Sequence, residues 1–303
     1  MVGSAIVRRL QQGGYTNLLT RTRQELDLLD QRAVRDFLRA EKPDYIFVAA
    51  AKVGGIQAND TCRADFIYEN LQIQNNLIFG ALQAGIQDLC FLGSSCIYPR
   101  DCAQPIREEY LLTGPLEQTN EPYAIAKIAG VKLCESCNRQ YGTRYVSVMP
   151  TNLYGPNDNY DLATSHVLPA LIRKAHEAKL SNSVLNPQPS VLIWGTGAPR
   201  REFLYVDDMA DACVFLMQRG IGDGLYNIGC GEDVTIRELA ETVMEVVGFK
   251  GEIAFDRSKP DGTLRKLLDV TRMANLGCQA GTPLRKFIAL AYQDFLKNPK
   301  WNP

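Results

Sequence analysis

Apolar residues along the chain occur in short continuous runs that alternate with longer stretches of helical period. A short apolar run predicts a buried strand, and apolar residues three or four positions apart predict a helix with one buried face. The predicted strands are residues 17–20, 45–50, 88–92, 145–149, 191–194, 203–206 and 226–229. The predicted helices are residues 1–10, 31–41, 66–84, 123–141, 167–179, 207–218, 235–247 and 283–296. This alternation is typical of βαβ units and predicts an α/β fold with a doubly wound parallel sheet.

The rhythm changes after Gly155, which suggests a second structural unit. Residues 181–190 predict a loop rich in Pro, Asn and Ser, and residues 259–262 predict a flexible stretch rich in Pro, Gly and Asp. We expect the strand at 226–229 to return to the main sheet. The larger predicted domain comprises residues 1–153 and 203–229, and the smaller α/β domain comprises residues 154–202 and 230–303.

The amino end of the chain departs from the usual order of a doubly wound sheet. Such a sheet begins with a strand, a Gly-rich turn and a helix, whereas this sequence begins with helical periodicity. Gly3 would then be the last glycine of that turn, the one that lets helix and strand pack closely. We therefore expect the first strand and the earlier glycines to be missing. The alternative is an ordinary N-terminal helix that begins with a start methionine.

Composition excludes several classes of protein. The 303 residues are 46% hydrophobic and 22% charged, with a net charge of −1, which argues against a basic surface for nucleic acid. No apolar run approaches the roughly 20 residues of a membrane span, and no secretory segment is visible. Nine scattered cysteines, an odd number, fit a reducing cytoplasm. We expect a cytoplasmic protein that binds neither nucleic acid nor membrane.

Cys134-Glu-Ser-Cys137 has the CxxC spacing of some metal and redox sites. A zinc site needs about four ligands, and neither a second pair nor a nearby His accompanies this one. We expect these cysteines to pack on a helix as small residues, and we predict no metal site.

Candidate chemistry concentrates around Tyr123-Ala-Ile-Ala-Lys127. A Tyr and a Lys four apart lie on one face of a helix, where the ammonium can lower the pKa of the phenol. Such a phenol can exchange a proton with a carbonyl or alcohol oxygen near neutral pH. Gly93-Ser94-Ser95-Cys96 upstream and Ser165-His166 downstream add a hydroxyl, a thiol and an imidazole. Together these are more proton-handling groups than a plain dehydrogenase needs.

Several motifs resemble the extended short-chain dehydrogenase/reductase family. They are GSSCIYP at 93–99, YAIAK at 123–127, PTNLYG at 150–155 and REFLYVDD at 201–208. Within that family, AAAKVGGI at 49–56, Ser94-Ser-Cys96, NEPYAIAK at 120–127 and Ser165-His166 resemble a group of NADP-dependent epimerase-reductases. The resemblance covers essentially the whole chain. It implies a Rossmann fold, conversion of GDP-4-keto-6-deoxy-D-mannose to GDP-L-fucose, and a homodimer through the Tyr-Lys helix.

For epimerisation, the resemblance implies that Cys96 and His166 are the acid–base pair at C3 and C5 of the sugar. A thiol with a reference pKa near ~8.5 and an imidazole near ~6.5 bracket neutral pH, so the two can hold opposite protonation roles. Alternatively, Cys96 is a small buried strand-end residue and His166 only begins a helix. The second histidine, His176, is expected on a solvated helix face.

For reduction, the resemblance implies that Tyr123 donates a proton to O4 while NADPH delivers hydride. Lys127 would lower the pKa of Tyr123 and bind the nicotinamide ribose. Ser94, or its neighbour Ser95, would polarise the carbonyl, because a donor aimed at developing oxyanion charge lowers the barrier. The alternative for the two serines is a polar strand-to-loop turn.

Cofactor choice is indicated by Thr20-Arg21-Thr22-Arg23. In this kind of fold an acid after the second strand binds the ribose of NAD, whereas an Arg accommodates the 2′-phosphate of NADP. We infer NADP(H), with Arg23 the better candidate; the alternative is a solvated basic turn. The full set of expected cofactor contacts is Gly3, Arg23, Leu28, Ala50, Leu92, Gly93, Ser94, Ser95, Lys127, Pro150, Thr151, Asn152, Leu153 and His166.

A GDP-sugar brings a diphosphate and a flat base. Arg201 can clamp phosphate oxygens, while Lys174 stands where the family usually has Arg and gives up bidentate geometry. Trp194 could pack on the guanine or sugar, or equally belong to the core. The expected substrate contacts are Asn152, Lys174, Trp194, Arg201, Asp261 and Lys266, the last two in a stretch expected to be a flexible loop.

Two other functions compete with this one. A UDP-sugar 4-epimerase or a 4,6-dehydratase could use the same fold, but chemistry confined to C4 does not require Cys96 with His166. A non-catalytic NADP-sensing or scaffold protein is the other alternative. It would have no chemical need for Ser94, Tyr123 and Lys127 together.

Overall fold

The computed structural model describes residues 1–181, 190–222, 224–259, 261–281, 283–298 and 300–301. Its α-helices are α1 (Val2–Gln12), α2 (Gln31–Glu41), α3 (Ile56–Thr61), α4 (Arg63–Gln83), α5 (Glu121–Tyr141), α6 (Val167–Leu180), α7 (Val206–Gln218), α8 (Ile236–Val247), α9 (Thr271–Asn275) and α10 (Leu284–Lys297). Its strands are β1 (Tyr45–Val48), β2 (Asp88–Leu92), β3 (Arg144–Pro150), β4 (Asn152–Tyr154), β5 (Ser190–Trp194), β6 (Arg200–Arg201), β7 (Phe203–Tyr205), β8 (Leu225–Ile228), β9 (Val234–Thr235), β10 (Glu252–Asp256) and β11 (Arg265–Lys266).

The central sheet has the order β1-β2-β3-β8, and every pairing in it is parallel. Strands β2 and β3 read as near-continuous apolar runs because helices cover both faces of the sheet. The prediction of an α/β fold with a parallel sheet is confirmed. The strand expected at 226–229 does return to this sheet, beside β3.

Helices cover the sheet as two layers. On one side α4 and α5 pack together over Phe91 and Tyr145, and on the other α1 packs on α7 over Val146. Helix α5 approaches the sheet closely at Gly130, where an added Cβ would lie 2.4 Å from the Phe91 ring.

Local sequence signals set several helix ends. Asp30 caps α2, since its carboxylate accepts hydrogen bonds from the backbone N–H groups of Arg32 and Ala33 at 2.9 and 3.0 Å. Thr235 and Glu238 form a reciprocal capping box at the start of α8. No helix among the described residues is long and apolar enough to cross a membrane.

A second core lies among the shorter strands and α6, α8 and α10. It is built on residues such as Tyr160, Ile172, Val243 and Phe295. Strand β5 pairs with β10, β6 lies between β9 and β11, and β4 pairs with β7. The exact division of the chain into two domains stays a prediction. The loop predicted at 181–190 falls largely on residues 182–189, and the stretch at 259–262 includes residue 260; these lie outside the described residues.

The strand predicted at 17–20 is wrong. This segment pairs with no strand among the described residues, and Leu19 is 37% exposed. A short apolar run becomes a strand only where a neighbouring strand satisfies its backbone groups and a helix covers its side chains. Neither condition holds here. The structure also contains β10, which the apolar pattern of the sequence did not predict.

Candidate active site

The segment after β2 approaches the sheet closely and then turns away at Ser94. The Gly93 N–H donates to the Val148 carbonyl at 2.8 Å, and a Cβ at Gly93 would lie only 2.0 Å from the Met149 methyl carbon. Ser94 then caps a short 3-10 helix, Ser95–Ile97, by accepting a hydrogen bond from the Cys96 N–H at 3.4 Å. A larger residue immediately before the serine would therefore have to displace the Met149 side chain.

Ser94 lies between a phenol and a thiol. Its side chain favours the ionised forms of both the Tyr123 phenol and the Cys96 thiol, and lowers the pKa of each. Ser94 and Cys96 follow β2, whereas Tyr123 lies in the first turn of α5. The structure thus brings together three of the predicted catalytic residues, and one hydroxyl acts on the ionisation of the other two.

Burial raises the pKa of Tyr123 above its usual value, and the nearby Cys96 adds to this effect. The hydrogen bond from Ser94 acts in the opposite direction but is the smallest of the three. The expectation of a lowered pKa for Tyr123 is therefore wrong, because loss of solvent dominates and Lys127 is not among the groups that shift this pKa. A phenol of raised pKa keeps its proton at neutral pH, which suits a proton donor.

Lys127 is a buried cation, with 3% of its surface exposed. Burial lowers its pKa to about 8, and Cys96 partly offsets that effect. Its Nζ donates to the Leu92 carbonyl at 2.8 Å and lies 4.9 Å from the centre of the Phe91 ring. The same atom is 5.7 Å from the centre of the Tyr123 ring. These contacts hold the ammonium beside the Tyr123 phenol.

Cys96 is buried, and burial raises the pKa of its thiol. Three groups oppose that effect: first the charge of Lys266, then the hydrogen bond from Ser94, then the charge of Lys127. Two cations, Lys266 and Lys127, thus favour the ionised form of this thiol.

His166 precedes the first turn of α6 and is exposed, although surrounding atoms lower the pKa of its imidazole by desolvation. The backbone before it faces the 49–56 motif, since a Cβ on Gly55 would lie 3.5 Å from the Ser165 carbonyl oxygen. Among the described residues, no charged group shifts the pKa of His166, and His166 does not contribute to that of Cys96. The pairing of His166 with Cys96 stays a prediction.

His176 does not lie on a solvated face, so that expectation is wrong. The ring is buried, its Nδ1 lies 2.9 Å from the Tyr292 hydroxyl, and it packs edge-on to Phe295 at 5.1 Å. Helix α6 packs on α8, and this face of α6 turns towards the second core.

Three of the residues expected to bind substrate lie together. Lys266 pairs with Arg201 in the register of β11 and β6, and Asp261 acts on the Arg201 charge. Burial lowers the pKa of Arg201, and Asp261 opposes this. Asp261 itself accepts hydrogen bonds from the Thr196 N–H and hydroxyl at 2.7 and 2.9 Å. Arg201 and Lys266 thus place two cations side by side, near an Asp261 side chain that is held by Thr196.

Two other expected substrate residues lie on neighbouring elements. Trp194 is 52% exposed, with the Lys259 Nζ 5.5 Å from its ring centre, so it is not a core residue. Lys174 donates to the Leu192 carbonyl at 2.9 Å, and burial lowers its pKa. Both side chains are thus placed around β5.

The expected cofactor residues meet at the carboxyl ends of β1, β2 and β3, where ligands bind in parallel sheets. Gly3 faces this edge, because a Cβ there would lie 3.9 Å from that of Ala49. This is ordinary contact, so close packing alone does not require glycine at position 3. The other residues at this edge are Ala50, Leu92, Gly93, Pro150, Thr151, Asn152 and Leu153.

Two features of this edge fit a phosphorylated dinucleotide. Helix α1 begins with no acidic residue in its first turn, which suits an anion, and basic side chains follow at Arg21 and Arg23. Arg21 is held by Glu41 at 3.3 Å and lies over Phe37, whereas Arg23 is exposed and has no carboxylate partner among the described residues. Arg23 is therefore the cation available to a phosphate.

The sequence analysis missed Glu202, which organises this region. It is 0% exposed, and burial raises its pKa. Its carboxylate accepts from the N–H groups of Gly231 and Leu268 at 2.8 and 3.1 Å, and its carbonyl accepts from the Asn152 amide at 2.8 Å. The sequence signal that could have identified it is a carboxylic acid directly before the apolar residues FLYV at 203–206.

Comparisons with known proteins agree with this geometry. A model of the NAD dependent epimerase/dehydratase family matches residues 1–229. A GDP-L-fucose synthase of Escherichia coli (strain K12) is 56% identical over 307 residues, which cover 98% of this chain and 94% of that protein.

Solved structures are similar along nearly the whole chain. A GDP-6-OMe-4-keto-L-xylo-heptose reductase from C. jejuni has a TM-score of 0.90 at 40% identity, covering 96% of this chain and 93% of that one. A GDP-L-fucose synthetase from Naegleria fowleri bound to NADP has a TM-score of 0.88 at 27% identity, covering 99% and 92%. The chain therefore belongs to the NAD dependent epimerase/dehydratase family.

Proposed function

We propose that this protein epimerises GDP-4-keto-6-deoxy-D-mannose at C3 and C5 and then reduces its 4-keto group with NADPH, which yields GDP-L-fucose. The observation that carries the proposal is the grouping of Ser94, Cys96 and Tyr123: the Cys96 N–H donates to the Ser94 hydroxyl at 3.4 Å, and Ser94 and Cys96 both act on the ionisation of Tyr123. A proton donor for reduction and a thiol for epimerisation therefore share one site. The GDP-L-fucose synthase of E. coli, at 56% identity, supports the same substrate.

In the epimerisation, a 4-keto group acidifies the hydrogens at C3 and C5. Cys96 and His166 would remove and return these protons on opposite faces of the ring. The lowered pKa of His166 leaves its imidazole neutral at pH 7, so it can accept a proton. The negative charge that forms on O4 would lie near the hydroxyls of Ser94 and Tyr123, which are placed to donate hydrogen bonds to it.

In the reduction, bound NADPH would supply hydride to C4. Tyr123 would give its proton to O4, and its raised pKa keeps that proton in place until charge develops on the oxygen. The Lys127 ammonium, held by the Leu92 carbonyl, would contact the nicotinamide ribose and stabilise the phenolate that remains. Ser94 would orient the carbonyl.

We propose Arg23 as the contact of the 2′-phosphate, and Arg201 with Lys174 as cations for the diphosphate. The GDP-L-fucose synthetase of Naegleria fowleri was solved with NADP bound, which supports NADP as the cofactor. Trp194, exposed on β5, would pack on the guanine or sugar. Asn152 and Asp261 would complete the substrate contacts, together with Lys266.

We also propose that the protein is a cytoplasmic homodimer that associates through α5. Ile125 and Tyr141 on that helix are exposed apolar side chains, as is Phe79 on the neighbouring α4. Light scattering of the protein and of Ile125→Lys would test the association: a monomeric wild type would contradict it.

A pair of variants tests the division of labour. Cys96→Ser should lower deuterium uptake from D₂O at C3 and C5 by about 10²-fold or more, whereas NADPH binding should remain. Tyr123→Phe should slow NADPH oxidation by about 10²- to 10⁴-fold and lower the exchange much less, because Ser94 still donates to O4. Undiminished exchange in Cys96→Ser would remove the thiol from the mechanism.

A second candidate is reduction of a GDP-4-keto-sugar without epimerisation. It is favoured by the C. jejuni heptose reductase, with its TM-score of 0.90. The buried thiol beside Ser94 speaks for the first proposal, because reduction alone does not require it. The exchange experiment separates the two: a reductase would oxidise NADPH while the sugar retains its C3 and C5 hydrogens.

A further inference from the structure

The thiol proposed as an acid–base group lies in an environment that opposes its ionisation. Cys96 is buried, and a neutral thiol cannot take a proton from carbon. A buried thiolate needs a counter-ion close by, since an unpaired charge inside a protein is costly. The question is which residue supplies that positive charge.

Four side chains with polar or titratable groups act on Cys96. Ser94 comes from its own segment, Tyr123 and Lys127 come from α5, and Lys266 comes from β11. Of the two cations, Lys127 already donates to the Leu92 carbonyl and lies over the Phe91 ring. Lys266 favours the ionised thiol more strongly than Lys127 does. It also lines the same cleft as Cys96.

Lys266 has no competing anion in contact with it. Its neighbours in sequence and register are occupied: Arg265 and Arg200 both pair with Asp233. Within the described part of the chain, the Lys266 Nζ has neither a hydrogen-bond acceptor nor a carboxylate at ion-pair distance. Burial lowers the pKa of Lys266, and Cys96 opposes this effect most strongly; Arg201, Cys102 and Glu117 act on it less, and Glu117 pairs with Arg100 at 3.5 Å.

The backbone around Lys266 is held on both sides, contrary to the expectation of a flexible loop. The Ile106 N–H donates to the Leu267 carbonyl at 2.8 Å, and the Leu267 N–H donates to the Gln104 side chain at 2.9 Å. The Leu268 N–H donates to the buried Glu202 carboxylate at 3.1 Å. The backbone that carries Lys266 is therefore ordered beside the cleft that Lys266 lines with Cys96.

We propose that Lys266 is the counter-ion of the Cys96 thiolate, and thus a positioning residue for epimerisation rather than only a substrate contact. The thiolate takes the proton from the sugar carbon, the C–H electron pair becomes the enolate, and the negative charge moves from sulfur to O4. The ammonium stays charged throughout. This role rests on the proposed function, but the pairing itself can be measured without any sugar.

The test is the pH dependence of Cys96 alkylation by iodoacetamide, followed by mass spectrometry of the tryptic peptide that ends at Arg100. Lys266→Met should move the midpoint upward by about one pH unit or more, which slows labelling about tenfold at neutral pH. Lys266→Arg should restore the profile, because it keeps the charge. Arg265→Met is the matched control and should leave the profile unchanged, since that side chain pairs with Asp233.

Cys90 reports folding within the same peptide, because it is fully buried and should stay unlabelled in a folded variant. If Lys266→Met exposes Cys90, the Lys266→Arg profile still decides: a midpoint like that of the wild type supports the pairing, and one raised by a full pH unit overturns it. Superimposed profiles of wild type and a folded Lys266→Met would also overturn it, even if KM for the sugar rose. Failure of the wild type to turn over the sugar would count against the proposed function alone.

Discussion

Replacing Lys127 with methionine removes a charge that the fold disfavours. Lys127 is 3% exposed, and burial lowers its pKa from 10.5 to about 8. A pKa that differs between folded and unfolded states is a stability difference of about 1.36 kcal/mol per pH unit. Keeping the ammonium inside the folded protein therefore costs about 3 kcal/mol at pH 7, where it is charged in both states.

The sign of the pH dependence follows from which pKa is lower. Because the folded pKa is the lower one, the cost is present in full below about pH 8 and disappears as the pH rises towards 10.5. Between pH 7 and 9.5, the wild type should gain about 2 kcal/mol in unfolding free energy relative to Lys127→Met. The other titrating groups are common to both proteins and cancel in the difference, except Cys96, whose pKa depends on Lys127.

The assay is urea unfolding of both proteins at pH 7 and pH 9.5, followed by tryptophan fluorescence. Lys132→Met is the matched control on the same helix. Its side chain is 46% exposed and pairs with Glu135 at 2.8 Å, so its removal relieves no buried charge. A stability difference between wild type and Lys127→Met that stays constant from pH 7 to 9.5 would refute the reasoning. The variant should also lose reductase activity, which is the reason to retain a costly lysine.

Three further predictions concern the framework of the site. Gly93→Ala should lower the unfolding free energy by about 1–3 kcal/mol, because the new Cβ would overlap the buried Met149 side chain; thermal unfolding measures this. Glu202→Ala should cost about 3 kcal/mol or more in the same assay, since it leaves two buried N–H groups without an acceptor. Arg23→Ala should weaken NADPH binding about tenfold or more and leave NADH binding unchanged, while Arg21→Ala, whose guanidinium is held by Glu41, should change neither; fluorescence titration distinguishes them.

The main sheet could be predicted from sequence because its strands are buried on both faces. Residues 89–92 are apolar, residues 145–149 contain one polar residue, Ser147, and each segment lies next to a helix in the chain. The strand predicted at 17–20 was wrong because no described strand lies beside this segment to pair with it, although the segment contains an apolar run. A local apolar pattern indicates that a segment tends to be buried. It does not indicate which strand or helix packs against that segment.

The proton-handling residues could be found from their motifs, but their electrostatics could not. Tyr123 and Lys127 lie one turn apart on α5, as predicted, yet burial has the largest effect on the pKa of both. Desolvation depends on atoms from β2, α4 and the segment around Cys96, which the spacing of two residues cannot express. His176 shows the same limit, since α8 and α10 bury a helix face that the sequence pattern assigns to solvent.

Long-range contacts account for what the sequence did not reveal. The Glu202 carboxylate accepts hydrogen bonds from the backbone N–H groups of Gly231 and Leu268. Lys266 lies 170 positions after Cys96 in the chain, yet both residues line the same cleft and the charge of Lys266 acts on the thiol. Neither Glu202 nor Lys266 belongs to a motif whose spacing would predict these contacts. They become visible only when β6 and β11 lie side by side.

The central claim is that one site both epimerises and reduces a GDP-4-keto-sugar. The most direct measurement is incubation of the protein with GDP-4-keto-6-deoxy-D-mannose and NADPH in D₂O, with NADPH absorbance and the NMR spectrum of the sugar followed together. We predict one NADPH oxidised per sugar and a product, GDP-L-fucose, that carries deuterium at both C3 and C5. No consumption of NADPH, or a reduced sugar with its original C3 and C5 hydrogens, would contradict the claim.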